Sequence, residues 1–346
     1  MQNKPVQTLN NIQILRAFAA LLVVFHHALP HYAVMGGKIA FIGAISKWGF
    51  LGVDIFFVIS GFIMAYTTFN KERTFDNAKT FFKHRLFRIY LGYWPFFFIM
   101  LALLFVTNPQ KIYDLDVAGS FFLINADMFQ LVLPISWSLS YELYFYFLFL
   151  FTFIFSIKQL FVLIPVFIGF ILFLVLYSFF TPEFSEYFFY SSFLLEFFAG
   201  VLLYMYKDYL MRLWMLPVSL LVIIMAYSYG ITYETKNGLF RVLTFGTGAL
   251  FIVLGALILE QKNFYRAGKQ FEALGNASYT LYLSHLIIIQ LFYLFGLRGF
   301  FTSDGTLLPL IGLFVMIAFS VIFSLLYYQK IEKPVYQRTI RFRKIS

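Results

Sequence analysis

The feature that most constrains this chain is a series of apolar stretches, each close to the roughly 20 residues that an α-helix needs to cross a bilayer. We place them near 12–34, 48–69, 88–107, 138–156, 160–180, 188–206, 213–229, 241–260, 276–296 and 308–329. Because 61% of the 346 residues are hydrophobic and only 12% are charged, little of the chain remains for a separate soluble domain. The sequence therefore predicts an all-α fold, a polytopic bundle of about ten transmembrane helices.

A further apolar piece, 117–133, contains Asn125, Asp127 and Gln130 and requires a separate decision. If it does not cross the membrane, most of the 26 Lys and Arg residues fall on one side, together with the basic tail 330–346. Basic residues favour the cytoplasmic side of a membrane. We therefore predict that both termini are cytoplasmic, that 117–133 is an external or re-entrant segment, and that 1–346 forms one membrane-embedded domain with its core at about 10–336.

Charge and cysteine content exclude several classes of function. The formal net charge of +10 does not indicate nucleic-acid binding, because the basic residues lie in short segments between apolar runs. The chain has no cysteine, which excludes a thiol nucleophile, a disulfide and a thiolate metal site, and we expect no metal ion. The N-terminus lacks the features of a cleaved signal peptide, so we expect the first helix to be retained.

The first span carries ionisable side chains, which cost roughly 2.5–3.5 kcal/mol each inside a membrane and therefore usually mark function. Arg16 and His27 are eleven residues apart. They share one face of the helix, about 16 Å apart along its axis. Either an anion binds at Arg16 and reacts beside His27, or Arg16 is an interfacial anchor and His27 a structural histidine. His31 on the same face favours the functional interpretation.

Two further stretches each allow a structural and a functional interpretation. Asp54 lies in the first turn of its predicted helix, where the helix dipole alone explains an acid. Ser60 and the following glycine suit close helix packing. Arg85 and Arg88 share a face at the predicted cytoplasmic start of a helix, where they serve either as topological anchors or as a phosphate-binding patch.

Polar stripes also occur on two later spans. Ser138 and Glu142 are one turn apart on the fourth span, where a carboxylate either orients an imidazole or is structural. Tyr282 and His285 lie on one face of the ninth span, where they line a cavity or form interhelical hydrogen bonds. Glu196 and Arg241 are further charges in or near spans, and they have the opposite signs that pairing requires.

Six motifs in a fixed order give the chain a wider resemblance. They are LRAFAALLVVFHH, GVDIFFVISGF, RLFRIY, WSLSYE, SYTLYLSH and IEKP. From about residue 10 to about residue 336 the chain resembles the acyltransferase-3 family of bacterial integral membrane proteins. The segment WSLSYELYFY is most similar to members of the family that modify exopolysaccharide.

The resemblance implies an O-acyltransferase of the bacterial inner membrane that moves an acyl group, usually acetyl from acetyl-CoA, to a hydroxyl of an extracytoplasmic glycan such as lipopolysaccharide or exopolysaccharide. The family signature of an Arg, ten residues and an essential His falls on Arg16 and His27. Its acidic positions fall on Asp54 and Glu142, and its late histidine falls on His285.

From the residues and the resemblance together, we predict that His27 is the general base, oriented by Glu142 or Asp54. An acyl-histidine intermediate is the alternative to direct transfer. We expect Arg16, Arg85 and Arg88 to bind the CoA phosphates. The candidates for the substrate cavity are Ser60, Trp137, Tyr282 and His285.

The competing class of function is a proton-coupled transporter of a small solute, since an Arg, several His and acids inside a helical bundle also describe such a carrier. The sequence shows no internal repeat and no paired helices broken by Gly or Pro, which are the usual pointers to a carrier. The expected partners are therefore the lipid bilayer, an acyl-CoA and a glycan acceptor.

Overall fold

The computed structural model describes residues 9–181, 188–233, 238–265 and 268–341, so 342–346 of the predicted basic tail lie outside the described residues. The α-helices are α1 (Asn10–Val34), α2 (Ala40–Lys47), α3 (Gly52–Thr68), α4 (Phe75–Thr107), α5 (Val117–Phe122), α6 (Trp137–Leu150), α7 (Ile157–Phe180), α8 (Phe193–Met205), α9 (Lys207–Leu210), α10 (Met215–Thr232), α11 (Gly238–Arg241), α12 (Thr247–Gln261), α13 (Lys269–Asn276), α14 (Ser278–Leu294), α15 (Leu297–Phe301), α16 (Leu307–Tyr327) and α17 (Lys333–Arg341). Short 3-10 helices at Gly49–Leu51, Pro134–Ser136 and Phe151–Ile154 extend α3 and α6.

The all-α prediction is confirmed. No strand occurs in the described ranges, and nine helical segments there are long and apolar enough to cross a membrane. The tenth predicted span is α14, an apolar helix of 17 residues. One boundary was wrong: α4 begins at Phe75 rather than near 88, because its first turns are polar and a search for apolar runs does not detect them.

Contacts divide the described chain into two units, each built from distant segments. Unit 1 takes the described residues of 1–16, 54–82 and 144–272, and unit 2 takes those of 17–53, 83–143 and 273–341. The boundaries fall inside helices rather than in linkers. The predicted single domain stays a prediction.

Unit 1 has a core of aromatic side chains. Five phenylalanines are almost fully buried in it: Phe62, Phe145, Phe149, Phe197 and Phe245. In this unit α10 packs on α12 and α7 packs on α8. The helices α3 and α8 approach so closely that glycines are required on both, because a Cβ at Gly61 would overlap the Phe197 carbonyl and one at Gly200 the Val58 carbonyl. This contact supports the packing interpretation for Gly61 in α3.

We expect Gly61→Ala to destabilise the protein by about 1–3 kcal/mol, because the added methyl forces α3 and α8 apart. Thermal unfolding in detergent measures the effect. Gly169→Ala is the matched control, since that helical glycine has no neighbour within 4 Å of a built Cβ. Equal unfolding temperatures for the two variants would contradict the close contact.

Unit 2 contains the segment 117–133, whose short helix α5 packs along α4. Three side chains of α4, Tyr90, Tyr93 and Trp94, donate hydrogen bonds of 2.7, 2.8 and 3.2 Å to the carbonyls of Phe122, Ser120 and Phe121. Tyr93 lies 14 residues before the end of α4, which corresponds to about 21 Å of helix, so α5 reaches well into the length of that span. Non-helical backbone at such depth is tolerated only where protein groups bond it. The prediction that 117–133 is an external or re-entrant segment stays a prediction.

Candidate functional site

The centre of unit 2 is a pair of histidines from helices far apart in the chain. His27 projects from α1 and His285 from α14, and the Nδ1 of His27 lies 3.0 Å from the Nε2 of His285. His285 is fully buried. The structure thus brings together the first and the last histidine that the sequence singled out.

The hydrogen bonds of this pair determine which nitrogens carry protons. The Nδ1 of His285 faces the Leu281 carbonyl at 3.2 Å, so that nitrogen donates and the Nε2 accepts. The Nδ1 of His27 therefore faces two acceptors, the His285 Nε2 and the Val23 carbonyl, the latter also at 3.0 Å. It must carry the proton, and the Nε2 of His27 is left with a free electron pair. This is the tautomer that a general base needs.

Helix α14 is the element around which the polar motifs of unit 2 assemble. Tyr279 donates to the Ile89 carbonyl at 2.9 Å, and its ring packs against Gly92 in α4. One residue further along α14, Thr280 donates to the Glu332 carboxylate. A turn of α14 separates these contacts from His285. Helix α14 thus forms hydrogen bonds to other helices, and the cavity role of its polar stripe stays a prediction.

The start of α6 joins this arrangement through Ser138. Its hydroxyl lies 2.8 Å from the Tyr282 hydroxyl, which also donates to the Ile135 carbonyl at 2.8 Å. Trp137 is half-buried at the first position of α6, one residue from this contact. The substrate-cavity roles of Trp137 and Tyr282 stay predictions.

The predicted acid partner of His27 requires a correction. Glu142 lies one turn after Ser138 and is half-buried. The position next to the His27 Nδ1 is instead occupied by His285. An imidazole thus takes the place expected for a carboxylate, and a catalytic role of Glu142 by another route stays a prediction.

Asp54 belongs to unit 1, where it forms a buried ion pair. Its two carboxylate oxygens accept from the Nε and Nη2 of Arg241 at 3.0 and 2.8 Å. Asp54 is fully buried, and the Arg241 guanidinium also lies 5.0 Å from the Phe193 ring. The sequence suggested that Arg241 pairs with Glu196, but its bidentate partner is Asp54. The predicted catalytic role of Asp54 stays a prediction.

A second carboxyl lies beside this ion pair. Glu196 is buried next to Asp54 and Arg241. Gly246 makes room for it, since a Cβ there would come within 2.6 Å of the Glu196 Oε1. Gly246 ends the π-helical turn Val242–Gly246 that follows Arg241, and such turns are frequent at functional sites.

The predicted phosphate ligands are distributed over two helices. Arg16 lies on α1 and bonds the Gln13 side chain at 3.2 Å. Arg85 and Arg88 are half-buried on α4, about three turns after its first residue rather than at its start. Ser60 on α3 is half-buried beside Gly61. The assigned roles of these residues stay predictions.

The chain matches a known protein family over most of its length. A family model described as an acyltransferase domain matches residues 9–329. The chain belongs to the acyltransferase-3 family. No curated protein and no solved structure matches it. This acyltransferase is therefore a multi-pass membrane protein whose family model covers both histidines of the unit 2 pair and the ion pair of unit 1.

Proposed function

We propose that this acyltransferase moves an acetyl group from acetyl-CoA to a hydroxyl of an extracytoplasmic glycan, with His27 as the general base. The observation that carries the proposal is the His27–His285 contact, which leaves the Nε2 of His27 unprotonated. The chain belongs to a family of acyltransferases, and an unprotonated imidazole nitrogen is suited to accept a proton from an acceptor hydroxyl. An exopolysaccharide or lipopolysaccharide is the expected acceptor, since the segment WSLSYELYFY resembles members that modify exopolysaccharide.

In the proposed reaction, the Nε2 of His27 takes the proton of the sugar hydroxyl as its oxygen attacks the thioester carbonyl. The tetrahedral intermediate then expels the CoA thiolate, which receives the same proton from His27. While His27 is positively charged, the Val23 carbonyl and the His285 Nε2 both accept from its Nδ1 proton. Ester bond formation and thioester cleavage therefore balance without a covalent enzyme intermediate.

The donor is proposed to enter from the cytoplasm of a bacterial cell, with both termini of the chain on that side of the inner membrane. Guanidinium groups match phosphate oxygens in bidentate geometry, which suits Arg16, Arg85 and Arg88 as ligands for the CoA phosphates. Arg16 and His27 are eleven positions apart, which corresponds to about 16 Å of α1. An extended pantetheine arm then carries the thioester from the phosphates to the base.

We expect Arg85→Gln and Arg88→Gln each to raise the KM for acetyl-CoA roughly ten- to hundredfold, because each loses a charge-assisted hydrogen bond of about 1.5–3 kcal/mol. The kcat at saturating donor should change little, since the lost contact is equal in ground and transition states. Lys79→Gln is the control, an exposed cation on the same helix. An unchanged KM in both arginine variants would exclude these residues as donor ligands.

The experiment that tests the proposed function uses purified protein with acetyl-CoA carrying a labelled acetyl group. Binding of the donor, and transfer of label to an added glycan acceptor, are the expected results. Absence of acetyl-CoA binding would favour the transporter. A label retained on His27 after acid quenching would show an acyl-histidine intermediate and overturn direct transfer.

A further inference from the structure

Arg73 is a cation that the acyltransferase reaction does not use. It lies in unit 1, in the short segment between α3 and α4, outside the membrane-spanning helices. Its guanidinium carbon lies 5.0 Å from the centroid of the Phe69 ring and 5.2 Å from that of the Phe153 ring. Both rings belong to the buried aromatic core of unit 1. Arg73 is therefore held between two aromatic side chains.

The guanidinium of Arg73 has no anionic partner within the described ranges. Its three nitrogens, Nε, Nη1 and Nη2, are shielded from solvent, and none of them has a hydrogen-bond acceptor there. Burial lowers the pKa of Arg73 below its ordinary value. Two cation–π contacts do not replace the hydration of a buried guanidinium, which is normally paired with an anion. An anion that the described residues do not supply is therefore needed to complete this site.

An apolar groove of unit 1 includes Thr152, the residue before Phe153. The groove has a volume of about 430 Å³ and lies between the end of α6, the 3-10 turn Phe151–Ile154 and the first half of α7. Thr152 is its one hydroxyl-bearing lining residue, and that hydroxyl already donates to the Phe149 carbonyl. Val166 and Phe170 line the groove and are largely exposed, so it opens sideways on the outer surface of α7. On a spanning helix this surface faces lipid chains.

Consecutive residues link the groove and the cation, since Thr152 lines the groove and the ring of Phe153 packs against the Arg73 guanidinium. A ligand that suits both has an anionic phosphate at one end and a hydrocarbon chain at the other. We propose that this site binds an anionic glycerophospholipid, with its headgroup phosphate on Arg73 and one acyl chain in the groove. Arg73 is only partly buried as a residue, and a guanidinium matches phosphate oxygens in bidentate geometry. Acetyl-CoA offers phosphates but no long chain for the groove.

The test measures binding of phosphatidylglycerol to the purified full-length protein in detergent by native mass spectrometry. Phosphatidylcholine and diacylglycerol serve as ligands that lack the net charge or the phosphate. We expect Arg73→Gln to weaken phosphatidylglycerol binding about tenfold or more. Lys71→Gln is the matched control, because it removes an exposed cation from the same segment, and it should stay within about twofold of wild type. Val166→Trp fills the groove and should weaken binding with Arg73 intact.

Thermal unfolding gives an independent readout. In lipid-free detergent Arg73→Gln should be at least as stable as wild type, because it removes an unpaired buried charge, and it should lose the stabilisation by phosphatidylglycerol. Three results would overturn the proposal: wild-type phosphatidylglycerol binding in Arg73→Gln, equally tight binding of phosphatidylcholine, or displacement of the lipid by acetyl-CoA. The last result would assign the site to the acyl donor.

Discussion

Replacing His27 with alanine should lower kcat for acetyl transfer about 10²- to 10⁴-fold, the usual contribution of a general base. The loss follows from the tautomer of the histidine pair, in which the Nε2 of His27 is the nitrogen with the free electron pair. The KM for acetyl-CoA should change little, because the imidazole acts on the acceptor hydroxyl. Initial rates of transfer with purified protein give both constants.

His31→Ala is the matched control for this experiment. His31 lies on the same face of α1, one turn beyond His27, and bonds the Tyr293 hydroxyl at 2.6 Å. Its loss removes an equally large side chain and one hydrogen bond but leaves the His27–His285 contact in place. We expect the His31 variant to retain activity within a few-fold of wild type. Equal losses in the two variants would show that α1 depends on packing there, and full activity of His27→Ala would refute the general base.

Arg241→Ala should cost about 3–5 kcal/mol of stability, enough to lose most of the folded protein. The substitution leaves the Asp54 carboxylate buried without its bidentate partner and beside Glu196, so two carboxyls share a site with no cation. The double variant Asp54→Leu with Arg241→Met should recover most of this loss, because a buried ion pair replaced by apolar side chains is often neutral or stabilising. Thermal unfolding and the monodisperse fraction in detergent measure both variants.

The double variant also decides what Asp54 does. A folded and active double variant would assign Asp54 to the fold alone, whereas a folded but inactive one would support the catalytic role that the family resemblance implies. Failure of the double variant to regain any stability would contradict the buried pair as the cause of the loss. Glu196→Gln is a useful addition, since it keeps the shape of the second carboxyl and removes its charge.

The parts of the fold that the sequence predicted are those governed by local length and hydropathy. Every predicted span coincides with a helix in the described chain, because roughly 20 apolar residues in a bilayer have no alternative to helical hydrogen bonding. The start of α4 was not predicted, because its first turns are polar and precede the apolar run. The packing of α5 on α4 was not predicted either, because it depends on donors at Tyr90 and Trp94 on another helix.

The candidate site shows the same division between local and long-range information. Helical periodicity placed Arg16 and His27 on one face, and Tyr282 and His285 on another. It did not show which faces meet, and so the partner of His27 was expected to be an acid rather than His285, 258 residues away. The ion pair of Asp54 with Arg241 spans 187 residues, and Arg73 has no motif around it. Signs of charge indicated candidates for pairing, but only packing selects the pair.

The measurement that tests the central claim most directly is mass spectrometry of extracellular glycans from a host strain that lacks this chain, complemented with either wild type or His27→Ala at matched membrane levels. We predict that ester-linked acetyl groups return with wild type and not with His27→Ala, which also identifies the acceptor sugar. Equal glycan acetylation by the two proteins would contradict the assignment of His27. If complementation with wild type leaves glycan acetylation unchanged, a glycan is not the acceptor of this acyltransferase.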